Sequence, residues 1–253
     1  RCQCVTGVQT CALPICGGIW IDRSVAYIYD SEIKGNSSGT AGGVHGYPDA
    51  EVYVYNSTIS ENKGTAYGAG FYVRQDSKGL RVNCLIAGNS TPAKTGGGGI
   101  MMYNNCELDV INTTVVDNIV ENGRGSGIYR ENGTNVLNIY NSIIAGNTSK
   151  DNGLEVDVKE ANADAPGIKN SIITDKAYDA NGAEISGETF DRSMIDASYV
   201  PTGSNNPAIT KGMTVAELTT LKGTFTPPLE DLITSDLNGN SRSNLTTMGA
   251  VVK

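Results

Sequence analysis

This sequence predicts an all-β solenoid, a stack of coils built from short parallel strands, and three observations predict it. An asparagine recurs at Asn56, Asn83, Asn112, Asn141 and Asn170, with Asp30 one period earlier, at intervals of 26, 27, 29, 29 and 29 residues. Three residues after each anchor stands an aliphatic side chain (Ile33, Ile59, Ile86, Val115, Ile144, Ile173), and the first five anchors have a second asparagine six residues on (Asn36, Asn62, Asn89, Asn118, Asn147). Ahead of the anchors lie glycines followed by an apolar residue: GGIWI at 17, GGVHG at 42, GAGFYV at 68, GGGIMM at 97 and GSGIYR at 125. Self-similarity at a fixed period of this size marks a repeat architecture.

Each unit then reads glycine, short strand, turn, short strand, asparagine corner, short strand. The segments EVYVYN, ELDVIN and NVLNIYN alternate with period two, as strands with one buried face do. Units with no helix cannot close a core alone and must stack on copies of themselves. A period of roughly 27 residues fits one coil of a parallel β-helix, whose strands pair with counterparts ~4.8 Å above and below. Asparagine suits the corner because it tolerates the left-handed conformation and its amide both donates and accepts, so the anchors Asn56, Asn83, Asn112, Asn141 and Asn170 are expected to form a structural ladder. The third copy is one residue short before its anchor: Leu80 lies three before Asn83, whereas Val52, Leu108 and Leu137 lie four before theirs. A local bulge or register adjustment is expected there.

The repeat decays after residue 176. TVAELTTLKG (214 to 223) predicts a short helix, with Thr214 as N-cap, Glu217 completing a capping box and Gly223 as the stop. Residues 177–253 are expected to be a C-terminal cap over the last coil, whose open edge needs cover.

Residues 5 to 15, VTGVQTCALPI, read as the translation of a common sequencing-library adapter, so residues 1–16 are expected to be non-native and stand outside the fold argument. The native chain is expected to continue upstream, which leaves any signal peptide unobservable. Four of the six cysteines leave with that segment. Cys84 takes the place of the serine or threonine that follows other anchors, and Cys106 sits in a turn; whether the two pair stays open.

A formal net charge of −8 argues against a nucleic-acid partner, and no apolar run approaches the ~18 residues of a membrane span. His45, the only histidine, aligns with Trp20, Tyr72, Met101 and Tyr129, each one place after an inward aliphatic. This column is expected to face outward as a shelf of rings ~4.8 Å apart that could hold sugars, or that stabilises the stack alone. Tyr29, Tyr55, Ile111 and Tyr140 form a parallel series. The paired carboxylates of a glycosidase are not in evidence, and Arg74 with Asp76 and Lys78 is the nearest approach to lyase chemistry. DLNGNSR at 236 is oxygen-rich but lacks EF-type spacing, so no metal site or cofactor is called for and Ca²⁺ is the sole candidate. Sequons at Asn36, Asn56, Asn89, Asn112, Asn132, Asn147 and Asn244 arise largely from the repeat itself.

The glycine-aliphatic phrase together with ISEN and IAGN resembles the right-handed parallel β-helix proteins, and more narrowly the polymorphic outer-membrane and adhesin-like repeat proteins of bacteria, over residues 17–176. SNNPAITKG (204 to 212) with SDLNGNSRSNLTTMGAVVK (235 to 253) is similar to the C-terminal phrase of choice-of-anchor β-helix proteins: Asp236, Gly239, Arg242, Gly249 and Ala250 fit, while Met248, Val251 and Val252 depart. The resemblance implies a right-handed parallel β-helix of about five to six coils with a C-terminal cap containing a short helix. It implies a secreted or cell-surface, monomeric, non-catalytic protein of adhesin or glycan-binding type. A polysaccharide lyase or glycoside hydrolase and a structural stalk are the alternatives, because fold does not fix function.

Overall fold

The computed structural model describes residues 8–9, 17–92, 96–123, 125–131, 134–149, 158–160, 167–220, 233–242 and 246–251. The expected Gly223 helix stop and nearly all of the leading segment lie outside these residues; of that segment, Val8–Gln9 pairs antiparallel with the first coil.

The chain winds as a right-handed parallel β-helix of about five turns. Four sheets run along it. The first stacks Ile19–Ile21, Val44–Gly46, Phe71–Arg74, Ile100–Tyr103, Ile128–Glu131 and Val158–Glu160. The second stacks Val25–Tyr29, Glu51–Tyr55, Lys78–Val82, Glu107–Ile111, Val136–Tyr140 and Gly167–Lys169. The third, after the corner, stacks Glu32–Lys34, Thr58–Ser60, Leu85–Ala87, Thr114–Val116, Ile143–Ala145 and Ser171–Ile173. Beyond the second asparagine a fourth sheet of two-residue strands appears, from Ser37–Ser38 to Thr148–Ser149, which the apolar pattern is too short to announce. Alternate residues point inward, and Ile28, Val54, Val110 and Ile139 with Ile59, Ile86, Val115 and Ile144 line one continuous core.

The anchors turn the corner in the left-handed conformation, at φ 46° for Asn56, 52° for Asn83, 48° for Asn112, 50° for Asn141 and 41° for Asn170. Their amides bond in pairs: Asn83 Nδ2 donates to Asn56 Oδ1 at 3.1 Å, and Asn141 Nδ2 to Asn112 Oδ1 at 2.7 Å. The continuous ladder belongs to the second asparagines. Asn36, Asn62, Asn89 and Asn118 each donate Nδ2 to the Oδ1 of the next coil's asparagine, at 3.0, 3.0, 2.9 and 2.8 Å, and that same oxygen accepts their backbone N–H. The glycine phrase answers this ladder directly. A Cβ on Gly99 would lie 3.0 Å from Asn118 Nδ2 and 2.6 Å from the Gly127 carbonyl, so the side chain that would fill that spot is excluded by the amide beside it. Cys84 takes its place in the hydroxyl column: its N–H donates to Thr113 Oγ1, its thiol donates to the Val54 and Val82 carbonyls, and both Cys84 and Cys106 are free.

Neither the expected bulge nor a register adjustment forms at Leu80. Lys78–Val82 pairs residue for residue with the strands on both sides, Lys78 with Glu51 and Glu107 and Val82 with Tyr55 and Ile111. Two unbroken backbone ladders outweigh the phase of the side chains, so the missing residue is absorbed by a swap of faces. Leu80 points outward, and Gly79 and Arg81 take the inward positions that Val52 and Val54 hold one coil earlier.

The C-terminal region does more than cap. Lys176–Tyr178 and Glu184–Thr189 extend the third sheet antiparallel past the last coil. From there the chain turns back as a strap along the flank, against the expectation of a cap confined to the end. It carries α1 (Pro207–Thr210) and α2 (Val215–Thr219), the latter with the predicted Thr214–Glu217 capping box. Phe190, Ile195, Ala208 and Met248 pack on Ile143 and Ile172 of the third sheet. Met213, Leu218 and Ile233 cover Tyr55, Leu80 and Ile111 of the second, which buries Tyr55 and Ile111 of the expected series and leaves Tyr29 and Tyr140 partly exposed. The corner asparagines hold it: Asn83 Nδ2 donates to the Ser235 carbonyl at 2.9 Å, Asn170 Nδ2 to the Lys211 carbonyl at 2.9 Å, and Asn141 Oδ1 accepts from Met213 N–H at 2.7 Å. Arg192 forks onto Asp117, Nε to Oδ1 and Nη2 to Oδ2, both at 2.8 Å. The C-terminal phrase is a buckle. Asp236 Oδ1 accepts from the N–H groups of Asn238 and Asn240, Gly239 turns at φ 81°, and Arg242 donates to the Ser235, Thr247 and Gly249 carbonyls.

Asn118→Ala is expected to cost about 3 kcal/mol, because it strips buried partners from Ile86, Asn89 and Asn147, whereas Asn112→Ala removes one made bond and should cost about 1 kcal/mol. Urea midpoints read side by side check the order; an Asn118 variant no weaker than the Asn112 one contradicts it. Leu218→Ala should lower stability by about 2–4 kcal/mol if the strap unfolds together with the coils. Two separated transitions in the same titration would show that it does not.

Candidate binding face on the first sheet

The first sheet directs two outward series of side chains away from the core. Trp20, His45, Tyr72, Met101 and Tyr129 stack in register, as the sequence predicts. Two residues along, Tyr47, Arg74, Tyr103 and Glu131 form the second series.

The first series is not an open shelf. Tyr72 and Met101 are 0% exposed, His45 2% and Tyr129 7%. The connections from the fourth sheet back to the first fold over them: a Cβ on Gly97 would stand 2.6 Å from Met101 Cβ, and one on Gly125 would stand 2.8 Å from Tyr129 Cβ. Both glycines have positive φ, 77° and 63°, so a left-handed turn without a side chain is what lets each loop lie down on the column. Tyr67, from the loop of the third coil, stacks on Tyr72 with centroids 5.5 Å apart. The rings that solvent still reaches are Trp20, Tyr47, Tyr67 and Tyr103, with Arg74 among them. Its guanidinium lies 4.1 Å over the Tyr47 ring and 6.0 Å from that of Tyr103.

The polar atoms of this face are unusual. Trp20 Nε1, both ring nitrogens of His45, Tyr72 Oη, Arg74 Nε and Glu131 Oε2 are buried without a hydrogen-bond partner. Buried polar groups are nearly always paired, so a cluster of unpaired ones on one face needs an explanation. His45 is stacked between Trp20 at 6.0 Å and Tyr72 at 4.8 Å. Burial, reinforced by the Arg74 charge, pushes its imidazole down to about 3, so it is neutral at pH 7 and offers one donor and one acceptor. Burial likewise raises the Tyr72 phenol, which stays protonated as a donor.

The Arg74, Asp76 and Lys78 trio does not converge. Arg74 is held by tyrosines, Asp76 accepts from Asn105 Nδ2 at 3.3 Å in a turn, and Lys78 pairs with Glu107 at 3.2 Å. Among the described residues no three His, Cys, Asp or Glu side chains gather as a metal site, and no helix is long and apolar enough to cross a membrane. Tyr47, Tyr103 and Glu131 were within reach of the sequence, since period two places them beside the first series. Tyr67 comes from a loop and carried no periodic signal.

His45 makes a pH test. Its pKa is about 6.5 unfolded and about 3 folded, so between those values the unfolded chain binds more protons and stability falls as pH is lowered, by up to about 1.4 kcal/mol per pH unit from this group. His45→Phe should flatten that part of the urea-stability profile between pH 4 and 6.5; a variant with the wild-type slope would mean that His45 is hydrated or paired in the folded protein.

No curated protein and no solved structure matches this chain. The family description "Right handed beta helix region" matches residues 15–163, which spans every asparagine of both series but Asn170. The chain therefore belongs to the right-handed β-helix family.

Proposed function

We propose that this chain is the non-catalytic, glycan-binding β-helix of a secreted or cell-surface bacterial protein of the adhesin type, acting as a monomer, with its sugar site on the outer face of the first sheet. The observation that carries the reading is the group of partly exposed rings Tyr47, Tyr67 and Tyr103 around Arg74, whose guanidinium lies 4.1 Å over the Tyr47 ring. A sugar presents both an apolar face, which stacks on aromatic rings, and hydroxyls, which accept from a guanidinium. The shelf thus moves from the column Trp20, His45, Tyr72, Met101 and Tyr129 to its accessible margin, with His45 and Tyr72 buried beneath it. A net charge of −8 disfavours nucleic acid as the partner. Adhesin-like membership and surface location are supported by the resemblance of the repeat phrase alone.

A glycan array is the test. Wild type should bind a defined glycan set, and Tyr103→Ala and Arg74→Ala should each weaken it about tenfold or more, the worth of one stacked ring or one charged hydrogen bond, with the melting temperature nearly unchanged. Binding no better than background, or binding untouched by both changes, would refute the site. Release of unsaturated uronate or reducing ends that Arg74→Ala abolishes would establish the enzymatic alternative instead.

A further inference from the structure

Arg81 lies inside the solenoid. Its register partners are Val54 and Val110, its side chain is 0% exposed, and its guanidinium sits 3.4 Å from the centroid of the Phe71 ring. Nη1 donates to the Val52 and Leu80 carbonyls, both at 2.6 Å. Nε and Nη2 have no partner. These two atoms form one edge of the guanidinium, the same edge with which Arg192 grips both oxygens of Asp117. Among the described residues no carboxylate pairs with Arg81, and the inward neighbours above and below are apolar.

We propose that Arg81 holds one small monovalent anion of the halide class within the solenoid, on its Nε and Nη2 edge. An arginine stays protonated even in an apolar site, and an uncompensated buried charge costs several kcal/mol, more than two carbonyl contacts and a ring face offset. The third coil also has the composition such a site needs. Gly79 stands where the adjacent coils place Val52 and Leu108, and a Cβ there would be 2.9 Å from the Val52 carbonyl and 3.3 Å from both Arg81 Nη2 and Leu108 Cδ1, so only glycine admits the guanidinium to this position. The class of anion follows from the surroundings. A halide is monovalent, spherical and cheap to dehydrate, whereas sulfate or phosphate would bring a second charge and oxygens with no further donors to meet them. The face swap at Leu80 thereby becomes a binding device rather than a flaw in the repeat.

Because the site is closed by the coils, the anion binds the folded chain and not the unfolded one, and stability is linked to its concentration. Urea unfolding in mixtures of potassium chloride and potassium gluconate at constant ionic strength reads that linkage. For the full chain the folding equilibrium constant should rise tenfold for each tenfold rise in chloride above the dissociation constant, with bromide acting alike, and Arg81→Met should show no dependence. An equilibrium constant that does not change with chloride overturns the proposal and leaves the carbonyls, the ring or water as the sole compensation. Crystals of the unaltered protein grown in bromide give an independent reading that needs no variant to fold: an anomalous peak beside Nε and Nη2 supports the site, and its absence refutes it.

Discussion

One carboxamide per coil holds the stack in register. Asn118 shows the arrangement in full: its Nδ2 donates to the Ile86 carbonyl behind it and to Asn147 Oδ1 ahead, and its Oδ1 accepts from both nitrogens of Asn89. Three coils meet at that group, and none can slide by one residue without breaking bonds in a place water does not reach. The requirement for glycine before the first sheet, the flat approach of the loops and the alignment of the outward columns all follow from it. A parallel stack lacks the turn geometry that sets register in a hairpin, so the side-chain ladder supplies what the topology does not.

The anchor asparagines do the work their spacing suggests, Asn83 pairing with Asn56 and Asn141 with Asn112, and further work besides. Their left-handed backbone was legible, because few residues tolerate that corner and the interval repeats. What else their amides do was not, since Asn83, Asn141 and Asn170 also engage a segment more than forty residues further along the chain. Period and composition report on neighbours in the coil; they carry no trace of a partner that arrives from outside the repeat. The same limit explains the strap. Its α2 helix was readable from Thr214 and Glu217, but the surface it lands on depends on Leu80 facing outward, and Leu80 faces outward only because backbone pairing overrides side-chain phase.

The binding face divides along a similar line. Alternation correctly placed Trp20, His45, Tyr72, Met101 and Tyr129 on the outer side of one sheet, yet outward from the core is not the same as open to water. Loops of left-handed glycines lie over the column, and glycine leaves no hydropathy signal to announce a cover. The polar atoms stranded beneath, and Arg81 stranded within the core, are features that only the packed structure reveals. Each is a place where local rules of burial are broken, and such breaks are where function is to be sought.

Solenoids are in general one-dimensional objects: each repeat touches its neighbours alone, so ends fray and stability accumulates coil by coil. The flank strap removes that freedom here. The bond from Asn83 to Ser235 spans 152 residues, and that from Ala250 to Thr114 spans 136. Contacts of that sequence separation raise the entropic threshold to folding and must wait for the last part of the chain to be made. During synthesis the early coils can assemble on each other but keep a bare apolar stripe over Tyr55, Leu80 and Ile111 until Met213, Leu218 and Ile233 emerge to cover it. The time between those two events, set by translation, is the interval in which the nascent protein is most exposed to aggregation, and it closes only when the strap folds back onto the coils around Asn83 and Thr114.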